Sequence, residues 1–205
     1  MNEENEEDNI EKIAILLLGN SMVGKTSFIL KYVDDKFQES YVSTIGIDFK
    51  VKNMTIHNKN YKVIFYDTTG QEKYKSISLN VIKDAHGIIL MYDITDEESF
   101  KSIPEWIQSI KDNKGNSFPL ILLGNKIDRQ ESRKIKKEQG KEFADNNGIE
   151  FFETSNQEGI NIKEAAMAII NKIIEKRKID NIDMNSNCTS KLKRKKVIEK
   201  SKRCC

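Results

Sequence analysis

Six short apolar runs punctuate the chain, at Ile13–Leu18, Phe49–His57, Tyr61–Tyr66, Gly87–Tyr92, Leu120–Leu123 and Phe151–Thr154. Each is of strand length, and all the gaps but one are long enough to hold a helix. That alternation predicts an α/β fold, a mostly parallel sheet with crossover helices. The exception is the pair joined by Asn58-Lys59-Asn60, a hairpin-length turn that makes those two strands antiparallel. Ile162, Ala165, Ala166, Ile169, Ile170, Ile173 and Ile174 keep a helical spacing that puts them on one face of a closing core helix. Thr95 and Glu98 have the spacing of a capping box before the helical pattern of Phe100, Trp106, Ile107 and Ile110. Pro104 lies inside that pattern, so the helix kinks there or starts there. Trp106 reads as a core residue. The periodicity stops at about Lys178, and Asp180–Ser190 reads as a polar linker.

The stretch after the first apolar run, GNSMVGKT from Gly19 to Thr26, fits G-x-x-x-x-G-K-[ST]. A chain of this composition matches that pattern by chance on the order of 1% of the time. Glycines let a backbone wrap closely around phosphate with its N–H groups inward, and the next helix presents its positive end to the anion. Lys25 is then expected to reach the β- and γ-phosphates, and the Thr26 hydroxyl to ligate Mg²⁺. Asn125-Lys126-Ile127-Asp128 follows the fifth run, where strand ends of an α/β sheet line the ligand crevice. A carboxylate such as Asp128 accepts from the N1–H and exocyclic amine of guanine, whereas adenine would leave it unpaired. DTTGQE, from Asp67 to Glu72, closes the third run. Asp67 is placed to hold Mg²⁺ through water, Gly70 to bring a backbone N–H to the γ-phosphate, and Gln71 to orient an attacking water. Thr44, in the loop after the first helix, completes the metal shell.

At 205 residues with a formal charge of +2, the chain suits one domain with a tail. The small net charge hides an asymmetry. The first eleven residues carry six acids and no base, and Lys191–Arg203 carries eight bases and one acid. Such blocks are commonly disordered, and a basic one docks on anionic surfaces. All three cysteines, Cys188, Cys204 and Cys205, fall in the last eighteen residues, so the core is expected to need no disulfide. The acidic N-terminus reads as carrying no secretory leader, and no apolar run reaches the roughly 20 residues of a membrane span. The Asn53 and Asn187 glycosylation patterns are therefore expected to be silent. The chain divides into an acidic segment (1–11), a nucleotide-binding domain (12–177) and a basic tail (178–205).

GNSMVGKT, STIGIDF, DTTGQE, NKID and ETS, in this order and spacing, resemble the small Ras-like GTPases, and STIGIDF with the terminal Cys-Cys is most similar to the Rab family. The resemblance implies a P-loop fold with a six-stranded sheet, one strand antiparallel, and five helices. It implies Phe37 edge-on to guanine, Asn125 and Asp128 holding the base, Lys126 along it and Ser155 bracing the loop, with a guanine contact from the Asn156 backbone N–H. It extends the nucleotide set to Gly19, Ser21, Met22, Val23, Gly24, Ser27, Tyr41 and Gln157. It also implies Gln71, Lys25 and Gly70 as the catalytic group, and an effector surface of Ile45, Gly46, Ile47, Phe49, Tyr66 and Val81. Geranylgeranyl groups are implied on Cys204 and Cys205, where two lipid chains anchor firmly and one does not. Lys191–Arg203 would add attraction to an anionic leaflet. The implied partners are an exchange factor, a GTPase-activating protein, effectors, an escort protein and a GDP-dissociation inhibitor. The implied state is a monomer that cycles between cytosol and the cytoplasmic face of an intracellular membrane in vesicle transport, with no nucleic-acid partner.

Five positions depart from that family. Thr69 stands where an alanine is usual, Asn156-Gln157 replaces Ala-Lys, and Tyr66 and Val81 replace Trp and Tyr on the effector face. The residues leave two alternatives open: a GTP-dependent binding module that Thr69 keeps from hydrolysing, and a P-loop phosphotransferase. Asn125–Asp128 and the lack of an Arg-rich lid count against the second.

Overall fold

The computed structural model describes residues 10–37, 47–68 and 82–201, with backbone alone at Ile47 and from 183 to 201. The described elements run β1 (Glu11–Leu18), α1 (Lys25–Asp34), β2 (Ile47–Ile56), β3 (Lys59–Thr68), β4 (Gly87–Asp93), α2 (Glu97–Lys101), α3 (Ile103–Lys114), β5 (Leu120–Asn125), α4 (Lys137–Asn146), β6 (Glu150–Thr154) and α5 (Ile162–Ser201). The six strands form one sheet in the order β2-β3-β1-β4-β5-β6. β2 and β3 pair antiparallel and all other neighbours pair parallel, as the run spacing predicts. β4 is buried at every position, because helices cover both faces of a parallel sheet.

Two apolar layers flank the sheet. One packs α1 and the α5 stripe, from Ile162 to Ile174, on Ile13, Ile15, Leu17, Ile89, Met91, Ile121 and Leu123. Every residue of the predicted stripe is 6% exposed or less. The other layer packs α3 and α4 on Leu16, Leu18, Ile88, Leu90, Tyr92 and Leu122. Because the strands alternate their side chains, Ile13, Ile15 and Leu17 serve one layer while Leu16 and Leu18 serve the other.

Two local expectations are corrected, the hairpin turn and the helix cap, and of the two outcomes expected at Pro104 the structure shows a helix start. The hairpin turns at His57-Asn58, not across Asn58–Asn60, and pairs Ile56 with Lys59. Both turn residues have positive φ, 49° and 60°, the two-residue geometry whose twist matches that of the strands and which asparagine tolerates. The helix cap is Asp96, whose carboxylate accepts from Glu98 N at 3.1 Å. Thr95 instead donates from its N and Oγ1 to Asp93 Oδ1, both at 2.8 Å. The helical pattern is two helices: α2 stops at Ser102, and α3 opens with Pro104 in its first turn, where a missing N–H costs nothing. Finally, the backbone of α5 stays helical to Ser201, beyond the point where the apolar stripe ends. Ile179 and Ile182 are 55% and 66% exposed, so this extension leaves the core behind.

His86 lies just before β4 and bonds β1 twice: its N–H donates to Ala14 O, and its Nδ1 accepts from Ala14 N, each at 2.8 Å. Partial burial, with the cations Arg177 and Lys114 nearby, holds its pKa below the usual 6.5. The unfolded chain therefore takes up this proton first, and the stability His86 contributes is present above about pH 6.5 and lost as pH falls through the depressed value. Urea midpoints at pH 7.5 and 5.5 should fall further for the native chain than for His86→Gln. Equal losses would remove this residue as the cause.

Candidate functional site

The sheet order reverses direction between β1 and β4, and the crevice at the carboxyl ends of these strands is where α/β folds take ligands. The Gly19–Gly24 loop leaves β1 at that point. Gly19 has φ 134°, and a Cβ there would collide with the Met91 carbonyl of β4, so only glycine lets the loop cross so close to the sheet. Gly24, at φ 106°, caps α1 without any side-chain bond to the first-turn amides, and that turn carries no acid. The positive end of the helix dipole suits an anion. Met22 also adopts positive φ, 65°, with its side chain 61% exposed, a non-glycine exception that the loop pattern does not reveal.

Lys25 folds back under this loop. Its Nζ donates to Gly19 O at 2.9 Å and Asn20 O at 2.8 Å, and the residue is 5% exposed. Burial lowers its pKa to about 8, against the pull of Asp67, so at neutral pH it remains an ammonium in a poorly solvated place. Thr26 Oγ1 donates to Asp67 Oδ2 at 2.6 Å, which joins the first turn of α1 to the end of β3. Both residues predicted for Mg²⁺ among the described ones are thus together. Their oxygen donors suit a hard cation. Among the described residues no group of three or more His, Cys, Asp or Glu side chains could hold a metal.

The opposite wall comes from β5 and β6. Asn125 ends β5, 1% exposed, and its Nδ2 donates to Val23 O at 2.8 Å across the crevice. Thr154 Oγ1 donates to Asn125 Oδ1 at 3.1 Å and orients that carboxamide. Ser155 Oγ donates to Asp128 Oδ1 at 2.6 Å and accepts from Glu158 N at 3.0 Å. Ser155 thus aims one oxygen of that carboxylate. Lys126, at φ 71°, pairs with Asp93 Oδ2 at 2.7 Å. Asn156 Nδ2 donates to Gly24 O at 2.9 Å. Behind this wall Arg133 grips both Glu153 oxygens, at 2.5 and 3.1 Å, and ties the chain after β5 to β6. Phe37 follows α1, 37% exposed.

Sequence reasoning misses three supports. Asn20 accepts from Trp106 Nε1 at 3.2 Å and donates to Ser102 Oγ at 3.0 Å, hanging the loop from α3. Thr154 and Asp93 orient Asn125 and Lys126; Thr154 lies within ETS, which does not show its reach to Asn125, and Asp93 lies in no motif. Trp106 is buried as predicted but is also a hydrogen-bond donor to the loop, as a buried indole usually must be. On the outer face Phe49 and Tyr66 sit in register on β2 and β3, ring centroids 6.3 Å apart, with Phe49 59% exposed. Ile47 starts β2. Tyr41, Thr44, Ile45, Gly46, Thr69, Gly70, Gln71, Val81, Cys204 and Cys205 lie outside the described residues.

A family model described as the Ras family matches residues 14–175, and the chain belongs to that family. It is 44% identical over 162 residues to the Ras-related protein Rab-3D of Homo sapiens, a match covering 79% of this chain and 74% of that protein. Over the same length it is 42% identical to Rab-3A of Homo sapiens, covering 79% and 74%, and 41% identical to Rab-13 of Bos taurus, covering 79% and 80%. It is a Rab-like small GTPase, a guanine-nucleotide binder of the P-loop fold.

Ser155→Ala tests the brace. It removes a hydrogen bond to a carboxylate, worth roughly 1.5–3 kcal/mol, so GDP affinity should fall about 10- to 100-fold. Competition binding measures this, and an unchanged affinity would mean that Asp128 needs no orienting partner.

Proposed function

We propose that the crevice seats GTP and GDP as the switch of a membrane-attached regulator of vesicle-mediated transport. The observation that carries this reading is the pair of bonds across the crevice. Asn125 grips the loop that faces the phosphates, while Ser155 fixes the carboxylate that would select guanine. Base and phosphate recognition are thereby built on one hydrogen-bonded frame.

In this reading Gly19, Ser21, Met22, Val23, Gly24, Thr26 and Ser27 offer backbone amides and hydroxyls to the phosphates, and Lys25 meets the β- and γ-oxygens. Thr26, Thr44 and Asp67 hold Mg²⁺, which when bound neutralises phosphate charge. Phe37 and Tyr41 flank the nucleoside, Asn125, Lys126 and Asp128 take the base, and Ser155, Asn156 and Gln157 close over it. Gly70 brings its N–H to the γ-phosphate and Gln71 orients the attacking water, while Lys25 stabilises the charge that develops on the leaving oxygens. Ile45, Gly46, Ile47, Phe49, Tyr66 and Val81 form the face that effectors read. The exposed Phe49, paired with the half-buried Tyr66, supports that assignment.

The nucleotide-binding domain spans 12–177, and 178–205 is the tether, with geranylgeranyl groups on Cys204 and Cys205 and a basic run that favours an anionic leaflet. No helix among the described residues is long and apolar enough to cross a membrane. The chain works as a monomer on the cytoplasmic face of an intracellular membrane. An exchange factor, an activating protein, effectors, an escort protein and a GDP-dissociation inhibitor act on it in turn.

Hydrolysis is slow without help. Arg133 is committed to Glu153, Arg177 donates to Lys12 O at 2.6 Å, and Arg129 flanks Asp128 on the base side, so none of these three supports a role at the γ-phosphate. In single-turnover assays of the GTP-loaded chain, a Rab-directed activating protein should raise the rate by roughly 10³–10⁵. Gln71→Leu should abolish most of that gain. Turnover as fast alone as with any activator would contradict this reading.

A further inference from the structure

Asn156 stands where the Rab resemblance expects alanine, and its side chain makes a bond that alanine cannot. The residue is 4% exposed, and its Nδ2 donates to Gly24 O at 2.9 Å. The same carbonyl accepts from Phe28 N at 2.9 Å, so both its lone pairs are used. One residue earlier, Val23 O takes Asn125 Nδ2. Two carboxamides, one at the end of β5 and one just beyond β6, therefore hold consecutive carbonyls of the phosphate loop. The fit is tight, since a Cβ on Gly24 would come 2.7 Å from Asn156 Nδ2 and closer still to Asn125 Nδ2. Turning the Asn156 carboxamide over would oppose two acceptors, so chemistry sets its direction. Its Oδ1 is buried and has no hydrogen-bond partner among the described residues, which leaves the Gly24 bond as the polar contact this side chain makes there.

We propose that Asn156 is a positioning residue that fastens the base loop to the phosphate loop and slows the release of GDP. The proposal rests on the guanine-nucleotide reading given above. Guanine holds the Asp128–Ser155 side of the crevice and the phosphates hold the Gly19–Ser27 side. With the tether in place, neither side relaxes without pulling on the other, so the nucleotide must lose both grips together. Without it, the bond from Asn125 to Val23 O remains between the phosphate loop and this wall among the described residues, and the loop yields first. The effect therefore depends on the β-phosphate and is small for a ligand that does not reach deep into the loop.

The test uses the full chain with Mg²⁺, fluorescent GDP for release rates, and competition by GDP and GMP for affinity. Asn156→Ala should speed GDP release about 3- to 10-fold, as expected for one lost internal hydrogen bond, and weaken GDP by a similar factor. GMP should weaken by less than about 2-fold. Release within about 2-fold of the native chain, or equal weakening of GMP and GDP, would overturn the proposal, because a side chain that merely shapes the base loop acts on both nucleotides alike. If Asn156→Ala does not fold, Asn156→Ser, whose hydroxyl is too short to reach Gly24 O, is read in the same way. A native chain that holds no guanine nucleotide would overturn the proposal together with the functional reading, and that outcome appears before any substitution is made.

Discussion

Lys25 keeps a positive charge in a position where only 5% of its surface is exposed, and the shape of the site follows from that. A buried ammonium must find oxygens, or its pKa falls until the charge is lost. Here two come from the chain itself, the Gly19 and Asn20 carbonyls, and for both to point at one nitrogen the loop has to curl over its own lysine. That curl demands the positive φ values at Gly19, Met22 and Gly24. The carbonyls and Asp67 reduce the cost of burial without removing it, since the pKa still lies near 8. An anion in the crevice is the remaining stabiliser, and phosphate oxygens match it in charge and geometry.

The loop is not stiff on its own, and the rest of the fold holds it in place. Asn20 hangs it from α3 through Trp106 and Ser102, Asn125 holds Val23 from β5, and Asn156 holds Gly24 from beyond β6. Each of these side chains stands at or just past the carboxyl end of a strand or on the helix facing it, which the parallel pairing aligns at one edge of the sheet. The two apolar layers fix the strand register, and the register fixes the distance from the base wall to the phosphate loop. A packing change deep in the Ile169–Ile173 stripe would therefore be felt at the nucleotide through the strand ends.

Much of this is legible in the residues. All six strands, the single antiparallel pair and the buried α5 stripe follow from apolar spacing, because in a parallel sheet covered on both faces burial dominates every other signal. The phosphate loop, Asp67 and Asp128 are legible because each chemistry needs one residue type at one place, and Asn125 and Ser155 are legible through the family resemblance. The capping residue and the hairpin turn are missed by one or two positions, since Asp96 competes with Thr95 for the same amides and two residues with positive φ suffice for a turn. Thr154, Asp93 and Asn20 are missed for a different reason. They act on other side chains across 29 to 86 residues of sequence, and nothing in local pattern marks a partner so distant. Asn156 lies between these cases: its departure from the family pattern is visible, but its reach to Gly24 is not.

A buried lysine under a curled loop and an aimed carboxylate together make a seat for guanine nucleotide. The most direct measurement is the identity and amount of nucleotide released on denaturing the full chain after purification in Mg²⁺. The account predicts one equivalent of GDP, because guanine is selected and bound GTP is slowly hydrolysed. Adenine nucleotide in that fraction, or none at all, would contradict it.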